Sequence, residues 1–140
     1  MIEFSGNRAF CDTSFFFASL YPKDINYERA GQILEDALTQ QISLWTTWDI
    51  ISETVTLLNY RFSSKAAIYF LDKIKPTLNI ISYDDSVRNE AERIFRIFCK
   101  DNKLSFCDAI SYVVVKMILK DIVCLSFDED FSRLSLHVIS

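Results

Sequence analysis

Short apolar runs alternate along this chain with longer stretches in which apolar residues recur every three or four positions. Ala9-Phe10-Cys11, Leu44-Trp45-Thr46-Thr47, Leu78 to Ser82 and Ile122 to Ser126 are the short runs, and Leu136 to Ile139 is a fifth. Apolar runs of that length predict buried strands. Between them, Tyr27, Ala30, Ile33, Leu34, Ala37 and Leu38 mark one face of a helix capped by Asn26. Ile51, Val55 and Leu58 do the same after Asp49, and Ala67, Phe70, Leu71 and Ile74 after Ser63 or Ser64, with Pro76 as a stop. Val87, Ala91, Ile94, Phe95 and Phe98 carry a helix from Asp84 or Asp85 to about Lys100. Ser105 opens another, with Ala109, Ile110, Val113, Val114, Met117 and Ile118 inward, and Ser14 to Leu20 is a short helical turn closed by Tyr21-Pro22. Strands alternating with helices predict an α/β sandwich around a largely parallel sheet.

Composition narrows this picture. A length of 140 residues suits one domain, and two Gly and two Pro leave few tight turns, so helix should dominate. The net charge of −4 argues against a non-specific nucleic-acid coat protein but not against an enzyme acting on nucleic acid. Cys11, Cys99, Cys107 and Cys124 show no C-x-x-C spacing, and His137 is the sole histidine, which disfavours structural zinc and predicts reduced thiols. No apolar run is long enough to cross a bilayer, and Met1 to Arg8 lacks the basic-then-apolar order of a signal peptide. A soluble, cytoplasmic protein without a membrane partner is the expectation.

Four acids then stand out. Asp12 and Asp128 follow strands, and Glu53 and Asp108 lie where helices begin. In an open α/β sheet ligands bind beyond the carboxyl ends of the strands, where all four should gather. Each has an ordinary explanation. Asp12 is a good helix N-cap. Glu53, expected in a first turn, is favoured by the helix dipole. Asp108 lies three residues after Ser105, as in a capping box. Asp128 sits in an acidic turn in which Asp130 can replace it. Their joint placement is the stronger signal. Carboxylates crowded together repel one another, and hard oxygen ligands select Mg²⁺ or Mn²⁺.

At these residues the chain resembles the PIN-domain ribonucleases of the VapC toxin type. The likeness covers nearly the whole sequence. It is carried by Phe10-Cys11-Asp12-Thr13-Ser14, Ser52-Glu53, Phe106-Cys107-Asp108-Ala109 and Ser126-Phe127-Asp128-Glu129-Asp130-Phe131. The resemblance implies one PIN-like domain over residues 1–140, a three-layer α/β/α sandwich with a mainly parallel sheet of four to five short strands. It implies a Mg²⁺- or Mn²⁺-dependent endoribonuclease acting on transfer RNA or another structured RNA, with a cognate antitoxin and a homodimeric assembly. By carry-over Asp12 and Asp108 are the metal ligands, Glu53 and Asp128 complete the catalytic set, and Ser14 and Ser126 match hydroxyl positions beside it. About ten residues precede Asp12, a little more than in the shortest toxins.

Phosphate-steering candidates are Arg8, Lys23, Arg61, Lys65, Lys103 and Arg133, although a solvated surface role suits any one of them. Phe15, Phe16, Phe17 and Tyr21 lie near the acids and read either as core or as a groove for an antitoxin helix. Three rivals remain: a PIN-like module that binds RNA or protein without cutting, a structure-specific DNA nuclease, and a phospho-acceptor or phosphatase fold. All four acids are present, the chain has no basic extension, and position 14 is Ser rather than a second Asp, which counts against each in turn.

Overall fold

The computed structural model describes residues 1–100 and 103–140. The chain runs β1 (Arg8–Cys11), α1 (Thr13–Leu20), α2 (Tyr27–Thr39), β2 (Ser43–Thr47), α3 (Trp48–Arg61), α4 (Ser64–Tyr69), β3 (Asn79–Ile81), α5 (Asp85–Phe98), α6 (Phe106–Met117), β4 (Val123–Leu125), α7 (Glu129–Ser132) and β5 (Val138–Ile139). The five strands form one parallel sheet in the order β3-β2-β1-β4-β5. Progress from β1 to β2 to β3 goes one way across the sheet, and β4 and β5 are added on the other side of β1. Right-handed crossovers therefore put α1 to α4 on one face and α5 to α7 on the other. This is the α/β sandwich expected from the strand and helix order, in the three layers that the resemblance implies.

The strands are short and their centre is dry. Ala9, Phe10 and Cys11 of β1 and Val123, Cys124 and Leu125 of β4 are all buried. Phe15, Phe16 and Phe17 are buried as well, so this aromatic run is core and not a groove. Phe15 stacks on Phe127, and Phe16 meets Phe70 edge-on with ring centroids 5.2 Å apart. An apolar cavity of about 260 Å³ does exist, but farther along this layer, between Leu34, Leu38, Ile42, Leu44, Ile74 and Leu78. The cysteines are free, Cys11 and Cys124 buried and Cys99 and Cys107 half-buried.

Ser63, Asp84 and Ser105 cap α4, α5 and α6 through their side chains, as their sequence positions predict. Three local expectations fail. α3 begins before Asp49: Thr47, the last residue of β2, accepts a hydrogen bond from the Ile50 N–H at 3.3 Å and caps the helix. Glu53 consequently lies in the second turn, and Asp49 is released to accept the Tyr83 hydroxyl at 2.5 Å. Asn26 offers no side-chain cap to α2; Asp24 instead accepts the Asn26 N–H. The helix expected up to Pro76 widens into a π-helical turn at Phe70–Ile74 and tightens into a 3₁₀ turn at Lys75–Thr77. The N-terminal segment docks on α2, with the Ile2 N–H donating to Asp36 and the Phe4 N–H to Gln40.

No helix among the described residues is long and apolar enough to cross a membrane. Phe70 is fully buried where the π-helical turn meets α1. Phe70→Ala should destabilise the fold by about 3–5 kcal/mol in urea unfolding. A loss under about 1 kcal/mol would mean that the layer closes without this ring.

Candidate active site

The carboxyl edge of the sheet is where the acids meet. Asp12 directly follows β1 and Asp128 follows β4 by way of Ser126 and Phe127; α3 and α6 bring Glu53 and Asp108 to the same place. All four line one pocket of about 250 Å³, together with Thr13, Ser14, Leu57, Lys103 and Ser105.

Asp12 stands at the N-cap position of α1 yet makes no side-chain cap bond. Its Oδ2 instead accepts the hydroxyls of Ser14 and Ser126, both at 2.9 Å. Each hydroxyl is fixed in turn by a backbone donor, the Phe127 N–H on Ser14 and the Asp128 N–H on Ser126. Asp12 is 3% exposed. Burial pushes its carboxyl above the ordinary range, against the pull of Ser14 and Ser126, and the Asp128 charge adds to the rise.

Asp108 is 5% exposed and does form the capping box, with Ser105 N–H donating to its Oδ2 at 3.3 Å and its own N–H donating to the Ser105 hydroxyl at 3.0 Å. The cap and a place in the pocket are compatible, because the cap occupies the residue's backbone and one oxygen while the side chain still lines the pocket. Burial first, then the Asp12 charge, raise its pKa to about 7. Burial and the charges of Glu53, Asp12, Asp108 and Asp49 likewise push the Cys107 thiol up, so these acids share one electrostatic field.

Asp128 caps α7 by accepting the Asp130 N–H at 2.9 Å and also faces the pocket. Asp130 points elsewhere and pairs with Arg133 at 3.2 Å. Arg133 does not line the pocket and is not a steering residue there. Nor is Arg8, since it begins β1 at the opposite edge and lies over Trp45. Arg61 rests over Phe17. Of the six candidate cations, Lys103 alone lines the pocket. Thr13 is the residue that sequence reasoning passed over. Its Oγ1 is buried without a partner beside the acids, and the only signal was its place between Asp12 and Ser14.

The donor set consists of carboxylate and hydroxyl oxygens, which suits a hard divalent cation. Among the described residues no three acid, His or Cys side chains are grouped closely enough to cage a metal alone. Magnesium usually takes one or two carboxylates and keeps several waters.

The PIN domain profile matches residues 9–136, and on that match the chain belongs to the PIN domain family. Within it, a VapC ribonuclease from Archaeoglobus fulgidus is 32% identical over 127 residues, covering 89% of this chain and 79% of that protein. The fold is shared with Mycobacterium tuberculosis VapC20, described as a sarcin-ricin loop cleaving toxin, at a TM-score of 0.79 and 22% identity over 91% of this chain and 95% of that one. It is shared also with FitAcB from Neisseria gonorrhoeae at a TM-score of 0.70 and 16% identity, covering 94% and 96% of the two chains. VapBC2 from Rickettsia felis, solved on a DNA fragment from its promoter, gives 0.66 and 11%, covering 94% and 97%.

Asp108 keeps its proton to about pH 7 when folded, against an ordinary value of 3.8. Between those values the folded chain binds more protons than the unfolded one, so this group makes stability fall as pH rises, with the full penalty above about 7. Asp12 acts with the same sign. In EDTA, Asp108→Asn should therefore exceed the parent in stability at pH 8, by on the order of 2 kcal/mol, and lose the advantage toward pH 4. A difference independent of pH across that window would contradict the raised pKa.

Proposed function

We propose that this protein is a Mg²⁺- or Mn²⁺-dependent endoribonuclease, the toxin of a toxin–antitoxin pair, with transfer RNA or another structured RNA as substrate. The observation that carries this is the convergence of Asp12, Glu53, Asp108 and Asp128 on one pocket at the carboxyl edge of the sheet. Membership of the PIN domain family and the likeness to a VapC ribonuclease support it.

Asp12 and Asp108 would hold the cation, with Asp128 and Glu53 completing the acidic wall. When bound, the ion supplies Lewis-acid activation of water and neutralises charge building on the scissile phosphate. The chain's own contribution is order. Ser14 and Ser126 hold Asp12 by one oxygen and leave its Oδ1 without a side-chain donor. Thr13 offers a further hydroxyl at the pocket wall. Lys103 brings a positive charge to the rim, suited to a backbone phosphate oxygen.

The same reading takes residues 1–140 as a single PIN-like domain, cytoplasmic and homodimeric, and held inactive by a cognate antitoxin. The exposed apolar side chains Tyr60, Phe62, Ile68 and Tyr69 around α3 and α4 offer area for protein contacts.

The test is RNA cleavage by purified, antitoxin-free protein in Mg²⁺, Mn²⁺ or EDTA. Cutting should require metal, and Asp12→Asn or Asp108→Asn should reduce it at least about a hundredfold, the loss typical when a single electrostatic stabiliser of the transition state is removed. Wild-type activity in either variant would overturn the site, and no cutting with either metal would favour a binding module.

A further inference from the structure

Beside the acidic pocket, at the carboxyl ends of β2 and β3, lies a second group of side chains that the carboxylate chemistry does not use. Trp48 opens α3 and is 57% exposed, although a tryptophan gains much from burial. Its ring is not left bare: the Lys75 ammonium lies over it, 5.6 Å from the centroid. Tyr83, just past β3, repeats the arrangement with the Arg88 guanidinium 5.4 Å from its ring centroid. Tyr83 is pinned, because its hydroxyl donates to Asp49, the neighbour of Trp48 on α3. One open hollow is lined by Trp48, Asp49, Tyr83 and Arg88.

This hollow adjoins the acids. Glu53 lies five positions after Trp48 on α3, about 7.5 Å along the helix. On the other side an adjoining hollow runs from Asp49, Tyr83 and Arg88 to Phe106, which follows pocket-lining Ser105 in the chain.

We propose that Trp48 and Tyr83, with Lys75 and Arg88, form a stacking subsite for single-stranded RNA flanking the scissile phosphate. The proposal rests on the ribonuclease reading for the identity of the strand, and it stands on its own geometry for the mode of binding. An exposed aromatic face paired with a cation is the element that binds single-stranded nucleic acid without reading sequence: the ring takes a base and the cation takes its phosphate. Two such units side by side suit successive nucleotides.

The charges nearby are compatible. Asp49 is occupied by the Tyr83 hydroxyl. Arg88 pairs with Asp85 at 2.8 Å, but that pair is exposed and three residues apart on one helix. Such pairs hold weakly, so a phosphate that engages the guanidinium fork can take the place of Asp85. Glu92, one turn beyond Arg88 on α5, lines the neighbouring hollow and not the one that holds Trp48.

The subsite is tested by binding in EDTA, where no cleavage intrudes, with a short labelled oligouridylate as probe. Trp48→Ala should weaken binding about 5- to 100-fold, the range for one lost stacking partner, while Trp48→Phe keeps most of it. Tryptophan emission should fall on adding RNA to the parent protein and stay unchanged in Trp48→Phe, which retains Trp45. Lys75→Ala and Arg88→Ala should each lower the slope of log affinity against log salt by about 0.7. Melting temperature checks that the variants fold.

Parental affinity in folded Trp48→Ala, or quenching that persists in Trp48→Phe, would overturn the subsite. Unchanged RNA binding with a shift from dimer to monomer in sedimentation would overturn it too, by making this face a protein contact. The two readings fail separately. Loss of cutting in Asp108→Asn with no effect at Trp48 would refute the subsite alone, and Trp48-dependent binding without metal-dependent cutting would refute the nuclease alone.

Discussion

The repulsion among carboxylates at one sheet edge is what the rest of this structure is arranged to contain. Asp12 and Asp108 are both nearly buried; burial raises the pKa of each, the Asp12 charge adds to the rise at Asp108, and the Asp128 charge adds to it at both. Left to themselves such groups would turn outward to water. They are held by the fold's most rigid parts: β1 delivers Asp12 from the centre of the sheet, and α6 delivers Asp108 from within its capping box. Helix N-termini help, since Asp12, Asp108 and Asp128 all sit at the first turn of a helix or just before it, where the dipole favours negative charge. The hydroxyls of Ser14 and Ser126 take up part of the remaining field.

Parallel strands make this possible. With every carboxyl end on one side, each loop after a strand delivers residues to that side, and the opposite edge is free for purely structural duties. The N-terminal segment on α2 and Arg8 over Trp45 belong to that opposite edge. On the working side, chemistry and recognition lie next to each other because α3 serves both: it starts with an exposed indole and reaches the acids in its second turn. The acids then need not bind substrate, for which their charge is unsuited. Adjacent aromatic faces and cations can do so without weakening the field of the pocket.

Much of this was legible in the sequence, because the strands are short, apolar and bounded by good caps. The sites at Ser63, Asp84 and Ser105 follow from local chemistry alone. What was illegible depends on distant partners. Nothing near Asp49 shows that it binds Tyr83, 34 residues away, and without that bond Asp49 looks like the better cap than Thr47. The shift of the helix start moved Glu53 out of the first turn without moving it out of the pocket. Asp128 and Asp130 are equivalent on paper; three-dimensional direction separates them, one facing the pocket and the other Arg133. Asp108 shows that a cap and a site residue are not alternatives. The aromatic run at Phe15 to Phe17 was ambiguous because a core and a groove use the same residues, and only the neighbouring layer decides between them.

The hydrogen bond between Ser126 and Asp12 joins residues 114 positions apart, and β1 cannot pair with β4 until that same stretch has been made. A domain generally folds as a unit during synthesis, so this one waits for β4 to be made. Until then Asp12 has Ser14 beside it but lacks Ser126 and Asp128. The pocket is therefore completed only after β4 and the turn beyond it have been made. Topology thus ties completion of the acidic pocket to the strand added on the other side of β1: a chain that lacks β4 lacks the pocket as well.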